Sequence, residues 1–123
     1  MARYWIIAGA VNGFLAVALG AFAAHGLKQR VAPDLLAIFE TGARYHMYHA
    51  LALLAVGWVA AQAPSSLATA AAWCFLAGIV IFSGSLYALT LSGIRGLGAI
   101  TPIGGTLLLV GWVLLAAAAA RLR

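Results

Sequence analysis

Residues 45–94, YHMYHALALLAVGWVAAQAPSSLATAAAWCFLAGIVIFSGSLYALTLSGI, contain no Lys, Arg, Asp or Glu. About 20 apolar residues at a helical rise of 1.5 Å cross a hydrocarbon layer of ~30 Å. The run is therefore long enough for two crossings and a turn. The turn reads at Ala63-Pro64-Ser65-Ser66, where a proline and two potential N-cap serines interrupt the apolar pattern. The stretch is predicted to be a helical hairpin, with span two at 45–62 and span three at 67–92.

A further span flanks the hairpin on each side. Residues 4–26 hold no formal charge, and Tyr4 and Trp5 sit where interface anchors belong. Gly93-Ile94-Arg95-Gly96-Leu97-Gly98 reads as a loop, after which Thr101-Pro102 offers an N-cap and a proline at the first helical position of a span at 101–120. The segment from Lys28 to Ala43 mixes Lys28, Arg30, Asp34 and Glu40 with Leu35, Leu36, Ile38 and Phe39. It is expected to form a helix starting at Pro33, either a short interfacial helix between spans one and two or an extension of span two. Glu40 and Arg44 stand i, i+4 on it, the spacing of a helical ion pair. The expectation is thus an all-α integral membrane four-helix bundle of two helical hairpins, a single transmembrane domain over residues 1–123.

Composition agrees. The 123-residue, 12.7 kDa chain is 66% apolar and 7% charged, where soluble domains run about 45–50% and about 25%. Nine charged side chains cannot coat a soluble globule of this size, which excludes a water-soluble enzyme and a separate extramembrane domain. The net charge of +5 comes from scattered residues, with no basic stripe to follow a phosphate backbone, so nucleic acid is not an expected partner. Membrane lipids are, together with a protein subunit or further copies of the chain. Arg3, Arg121 and Arg123 lie with the termini, against Lys28, Arg30, Arg44 and Arg95 with the first and third loops. This division leaves the orientation open.

The polar groups gather at the loop end. His25 closes span one, and Tyr45, His46, Tyr48 and His49 open span two. Span three leaves through Ser83-Gly84-Ser85-Leu86-Tyr87, and span four enters at Thr101-Pro102-Ile103-Gly104-Gly105. Unpaired buried polar groups cost roughly 1–3 kcal/mol, so such a cluster is either a mutually satisfied hydrogen-bond network or the lining of a ligand pocket. On the second reading His25, Tyr45 and His49, helped by Ser85 and Tyr87, would hold a haem, a metal or a quinone-like ring. Lys28, Arg30, Arg44 and Arg95 surround this face and are candidates to attract anionic lipid headgroups. Asn12 is expected to bond across helices, and Gly9, Gly13, Ala16, Gly20 and Ala24 form a small-residue face. No nucleophile–base pair for hydrolysis and no acid inside a span for proton-coupled transport is present.

Four motifs, Gly20-Ala21-Phe22-Ala23-Ala24-His25-Gly26-Leu27, Thr41-Gly42 with Tyr45, Tyr48, His49, Ala50 and Leu51, Phe82-Ser83-Gly84-Ser85-Leu86-Tyr87, and Thr101-Pro102-Ile103-Gly104-Gly105, occur in this order. Together they resemble the YgdD/YwdK family of small bacterial inner-membrane proteins, a domain of unknown function. The resemblance covers nearly the whole chain and implies a four-span inner-membrane protein with no assigned reaction, substrate or cofactor. The family pattern usually has Gln in place of His46 and Gly in place of Ala23, which makes His25 and His49 the better candidate ligand pair. The functional expectation is an accessory or interaction protein whose loop-side polar face docks a partner or lipid, with a cofactor-binding module as the alternative.

Overall fold

The computed structural model describes all 123 residues, and they contain no strand. Five α-helices follow one another: α1 (Ala2–His25), α2 (Pro33–Gln62), α3 (Ser66–Gly78), α4 (Gly84–Ser92) and α5 (Thr101–Ala119). A π-helical turn, Ile79–Ser83, joins α3 and α4 into one rod, so the bundle has four rods in antiparallel succession.

The boundaries follow local chemistry. Ala32 is extended and Pro33 occupies the first turn of α2, where its missing N–H costs nothing. Ser65 Oγ accepts the Ala68 N–H at 3.2 Å and caps α3. α4 stops at Gly93, the one residue with positive φ (74°), a left-handed conformation in which glycine carries no Cβ penalty.

The expected separate interfacial helix is not formed. Residues 33–43 are instead the opening turns of α2, preceded only by a 3-10 turn at Leu27–Gln29. No breaker stands between Pro33 and Gln62, and the apolar face of this stretch turns into the bundle rather than onto a bilayer surface. Phe39 is fully buried against Ala23 and Leu27, and Gly42 lies against the Tyr87 ring.

Three stretches, Ala2–Gln29, Ser66–Ser92 and Arg95–Ala119, are long and apolar enough to cross a membrane. α2 is less hydropathic because Tyr45, His46, Tyr48 and His49 lie in it. It is far more enclosed than α1, with twelve buried residues against four. His46 and His49 are buried against protein, whereas Tyr45 and Tyr48 are exposed.

α1 packs along α2, and α5 packs along α3 and the π turn, whereas α2 and α5 scarcely touch. The two tight seams depend on glycine. Gly57 of α2 leaves room for Ile6, and Gly111 of α5 leaves room for the Phe75 ring. Both belong to a repeated Val-Gly-Trp-Val (56–59 and 110–113) in which the glycine faces the hairpin partner and the tryptophan is exposed. At the loop end Gly104 abuts the backbone of Phe82. Along α1 only part of the small-residue face is used: a Cβ on Gly9 would meet Ala50 O at 2.9 Å, but one on Gly13 or Gly20 would meet nothing.

Candidate functional site

The α2 histidines are built into two separate arrangements. Asn12 Nδ2 donates to Ala8 O at 2.8 Å, which turns its Oδ1 toward α2. That oxygen lies 2.8 Å from His46 Nε2 and accepts its proton. The other ring nitrogen, Nδ1, then accepts from the Tyr87 hydroxyl at 2.9 Å. One neutral imidazole thus links α1, α2 and α4, with both ring nitrogens bonded.

Hydroxyls of the third rod complete the attachment. Ser83 donates to Gly42 O at 2.8 Å and Thr90 to Leu35 O at 2.9 Å, both on α2. Ser85 donates to Phe82 O at 2.9 Å and so accepts from Thr101 at 2.6 Å, which ties α4 to the start of α5. Ser85 and Tyr87, expected in a ligand set, are bonded within the protein.

The structure does not bring His25 to His49. His25 is exposed, with Nδ1 2.9 Å from Ala21 O. It lies just beyond Ala23, which packs on Phe39, and Phe39 is separated from His49 by ten helical residues, about 15 Å. No three His, Cys, Asp or Glu side chains are grouped as a metal site.

The four loop-side cations have different surroundings. Arg95 donates to Asp34 Oδ2 at 2.7 Å, an exposed ion pair that joins the third loop to the start of α2. This contact holds the Asp34 carboxyl below its ordinary value. Lys28 and Arg30 are exposed beside the first loop. Arg44 lines a cleft of about 440 Å³ with Glu40, Ala16 and Gly20. The Glu40–Arg44 ion pair that the spacing allowed is not made, since Arg95–Asp34 is the one bridge within 4 Å.

The second histidine arrangement borders the largest cavity. His49 Nδ1 donates to Tyr45 O at 2.6 Å, and its Nε2 accepts the indole N–H of Trp112 at 3.1 Å. Both ring nitrogens are committed, so this imidazole has no lone pair free for iron or zinc. Around it runs an aromatic wall. Tyr45 packs on Tyr48 (5.5 Å between centroids), on Phe82 (5.1 Å) and, nearly parallel, on His49 (6.3 Å), which in turn meets Trp112 at 5.8 Å. The wall lines a groove of about 860 Å³ between α2 and α5, open along its side, with Leu51, Ala55 and Leu109 at its aliphatic end. No lining residue carries a charge.

A family model described as a protein of unknown function (DUF423) matches residues 19–105. The chain belongs to this family. It is 46% identical over 120 residues to the UPF0382 membrane protein YwdK of Bacillus subtilis, covering 97% of this chain and 98% of that protein. A UPF0382 membrane protein of Staphylococcus aureus is 47% identical over 113 residues, 92% of either chain, and one of Staphylococcus saprophyticus is 46% identical over 113 residues, 92% of this chain and 93% of its own. No solved structure matches. The DUF423 match runs from the last turns of α1 to the first turn of α5. It therefore includes His46, Tyr87, Ser85 and Thr101, while Asn12 and Trp112 lie outside it.

Two participants escaped the sequence reading. His46, set aside because the family pattern usually has Gln there, is the centre of the interhelical chain. Trp112, not among the candidate site residues, is the partner of His49. The i, i+3 spacing of His46 and His49 gave no signal of this division, since it puts both on one helix face; their partners come from other helices.

Proposed function

We propose that the protein is a multi-pass accessory component of the bacterial inner membrane, crossing it four times, whose α2–α5 groove docks one apolar-tailed molecule of the bilayer. The groove carries this reading, because it is the largest unfilled seam between neighbouring rods.

The charges suggest where the bilayer ends. Arg44 shares its cleft with Ala16, nine residues or about 14 Å before His25. A hydrocarbon layer bounded near Arg44 gives α2 a crossing from Tyr45 to Gln62, about 27 Å. α1 then crosses with its first two-thirds, and His25, Asp34 and Arg95 stand above the layer. The groove begins just inside this boundary. From Tyr45 to Ala55 it extends about 15 Å, the depth of one leaflet in a ~30 Å layer.

The polar face first expected to dock a partner is occupied by its own hydrogen bonds, so docking moves to the adjoining groove. Native mass spectrometry of protein extracted into polymer nanodiscs tests this. An adduct of lipid mass is expected on the wild-type chain and should be lost in Ala55→Trp, which fills the groove from an exposed position. No adduct, or the same adduct in both proteins, overturns the proposal; a second protein or multiples of the chain in place of a lipid would do so too.

A further inference from the structure

We infer that the molecule in the α2–α5 groove is an uncharged, carbonyl-bearing ring on a long apolar tail, a prenylated quinone, with its ring against the Tyr45–His49–Trp112 wall. The inference rests on the groove reading above and specifies its ligand.

Depth sets the charge of the occupant. The aromatic part of the groove begins one residue past Arg44 on α2 and continues inward. A phosphate in that section would lie in hydrocarbon against neutral walls, a position costing several kcal/mol without a paired cation. Arg44 opens into the other cleft, between α1 and α2, and Arg95 is engaged by Asp34. A neutral ring avoids this penalty.

The shape of the lining sets the form. Tyr45 and His49 lie within 20° of parallel, and the Trp112 ring stands at 63° to His49. Flat aromatic faces meeting at an angle suit a flat ring, through offset and edge contacts worth about 0.5–1.5 kcal/mol each. The hydroxyls of Tyr45 and Tyr48 bond no other protein group, unlike that of Tyr87, and are free to donate to ring carbonyls. His49 presents no free donor or acceptor, since Trp112 and the Tyr45 carbonyl use both nitrogens. Beyond the rings, Leu51, Ala55 and Leu109 continue the groove toward the bilayer centre, as an isoprenoid tail requires.

The test adds a decyl-substituted benzoquinone to the full-length protein in mild detergent and measures binding by equilibrium dialysis, alongside analysis of the lipids that co-purify from the native membrane. Saturable binding of one quinone per chain is expected. Ala55→Trp should abolish it, and the Tyr45→Phe, Tyr48→Phe double variant should weaken it about threefold to thirtyfold while retaining the wild-type melting temperature. Absent binding, or binding unaffected by Ala55→Trp, overturns the inference. A co-purified phospholipid displaced by Ala55→Trp, with no quinone bound, overturns the quinone while leaving the groove's docking role intact. No bound lipid of any class removes both.

Discussion

The Tyr87 hydroxyl donates to Nδ1 of His46 across 41 positions of sequence, and the opposite nitrogen of the same ring donates to Asn12. A single side chain thereby sets the rotation of three rods. Hydrogen bonds between membrane helices average about 0.6 kcal/mol, so the attachment matters less for its strength than for allowing one arrangement of α1, α2 and α4.

Replacing His46 by Gln should be mild and by Leu severe. A glutamine amide offers one donor for Asn12 and one acceptor for Tyr87. His46→Leu strands a carbonyl and a hydroxyl, at about 1–3 kcal/mol. Denaturation in mild detergent should place His46→Gln within about 1 kcal/mol of wild type. Equal losses for both variants would show that the chain of bonds is not what holds the rods.

Glycines should divide by position. An added Cβ at Gly104 collides with the backbone of Phe82, and at Gly78 with the Leu108 side chain; such overpacking typically costs about 1–3 kcal/mol. At Gly13 and Gly20 the space is open, so alanine there should leave the melting temperature unchanged or raise it, as helix propensity favours alanine by about 1 kcal/mol. Destabilisation at Gly13 or Gly20 would mean that another molecule packs on this flank of α1.

Much of this organisation was legible in the sequence. The charge-free run and its Pro-Ser-Ser break located α2, α3 and their turn, and Thr101-Pro102 located α5. The opening of α2 reads as either a surface helix or an extension of span two because its charges suggest the first, while the deciding contact, Phe39 against Ala23 and Leu27, crosses the turn before it. The His25–His49 pairing failed for a related reason. Placing both at the loop end ignored depth, and packing slides α1 along α2 until their levels differ by more than about 15 Å.

The Asp34–Arg95 contact should make the loop end sensitive to acid. Arg95 lowers the folded-state pKa of Asp34, so its contribution is present above the unfolded value of 3.8 and disappears as pH falls through the lower folded value. Proteolysis of the third loop should accelerate below about pH 4 in wild type. In Asp34→Asn it should already be fast at neutral pH and change little on acidification. The pair is exposed and salt-screened, so the wild-type advantage should also shrink at high ionic strength; insensitivity to both pH and salt would assign the loop's order to packing alone.

Trp112→Phe keeps an aromatic face in the groove but removes the donor to His49 Nε2. The indole environment can be followed directly: wild type should show one indole N–H strongly shifted by a nitrogen acceptor in NMR spectra, absent in the variant, with a stability loss of about 0.5–1.5 kcal/mol. Without such a signal, the His49–Trp112 bond is not maintained in the bilayer.

The π turn at Ile79–Ser83 has a consequence for how its rod meets two neighbours at once. Its wider winding fixes the rotational phase between α3, which faces α5, and α4, which carries Tyr87 and Thr90 toward α2. Rewinding its five residues as regular α-helix would leave a rod equally apolar and free of any broken cap. Yet everything beyond the turn would change its rotational phase relative to α3, and Ser83, Tyr87 and Thr90 would release α2 together. The rod works as a key whose two ends are cut at different angles, and a shoulder rewound to an even pitch leaves it straight but unable to turn the lock.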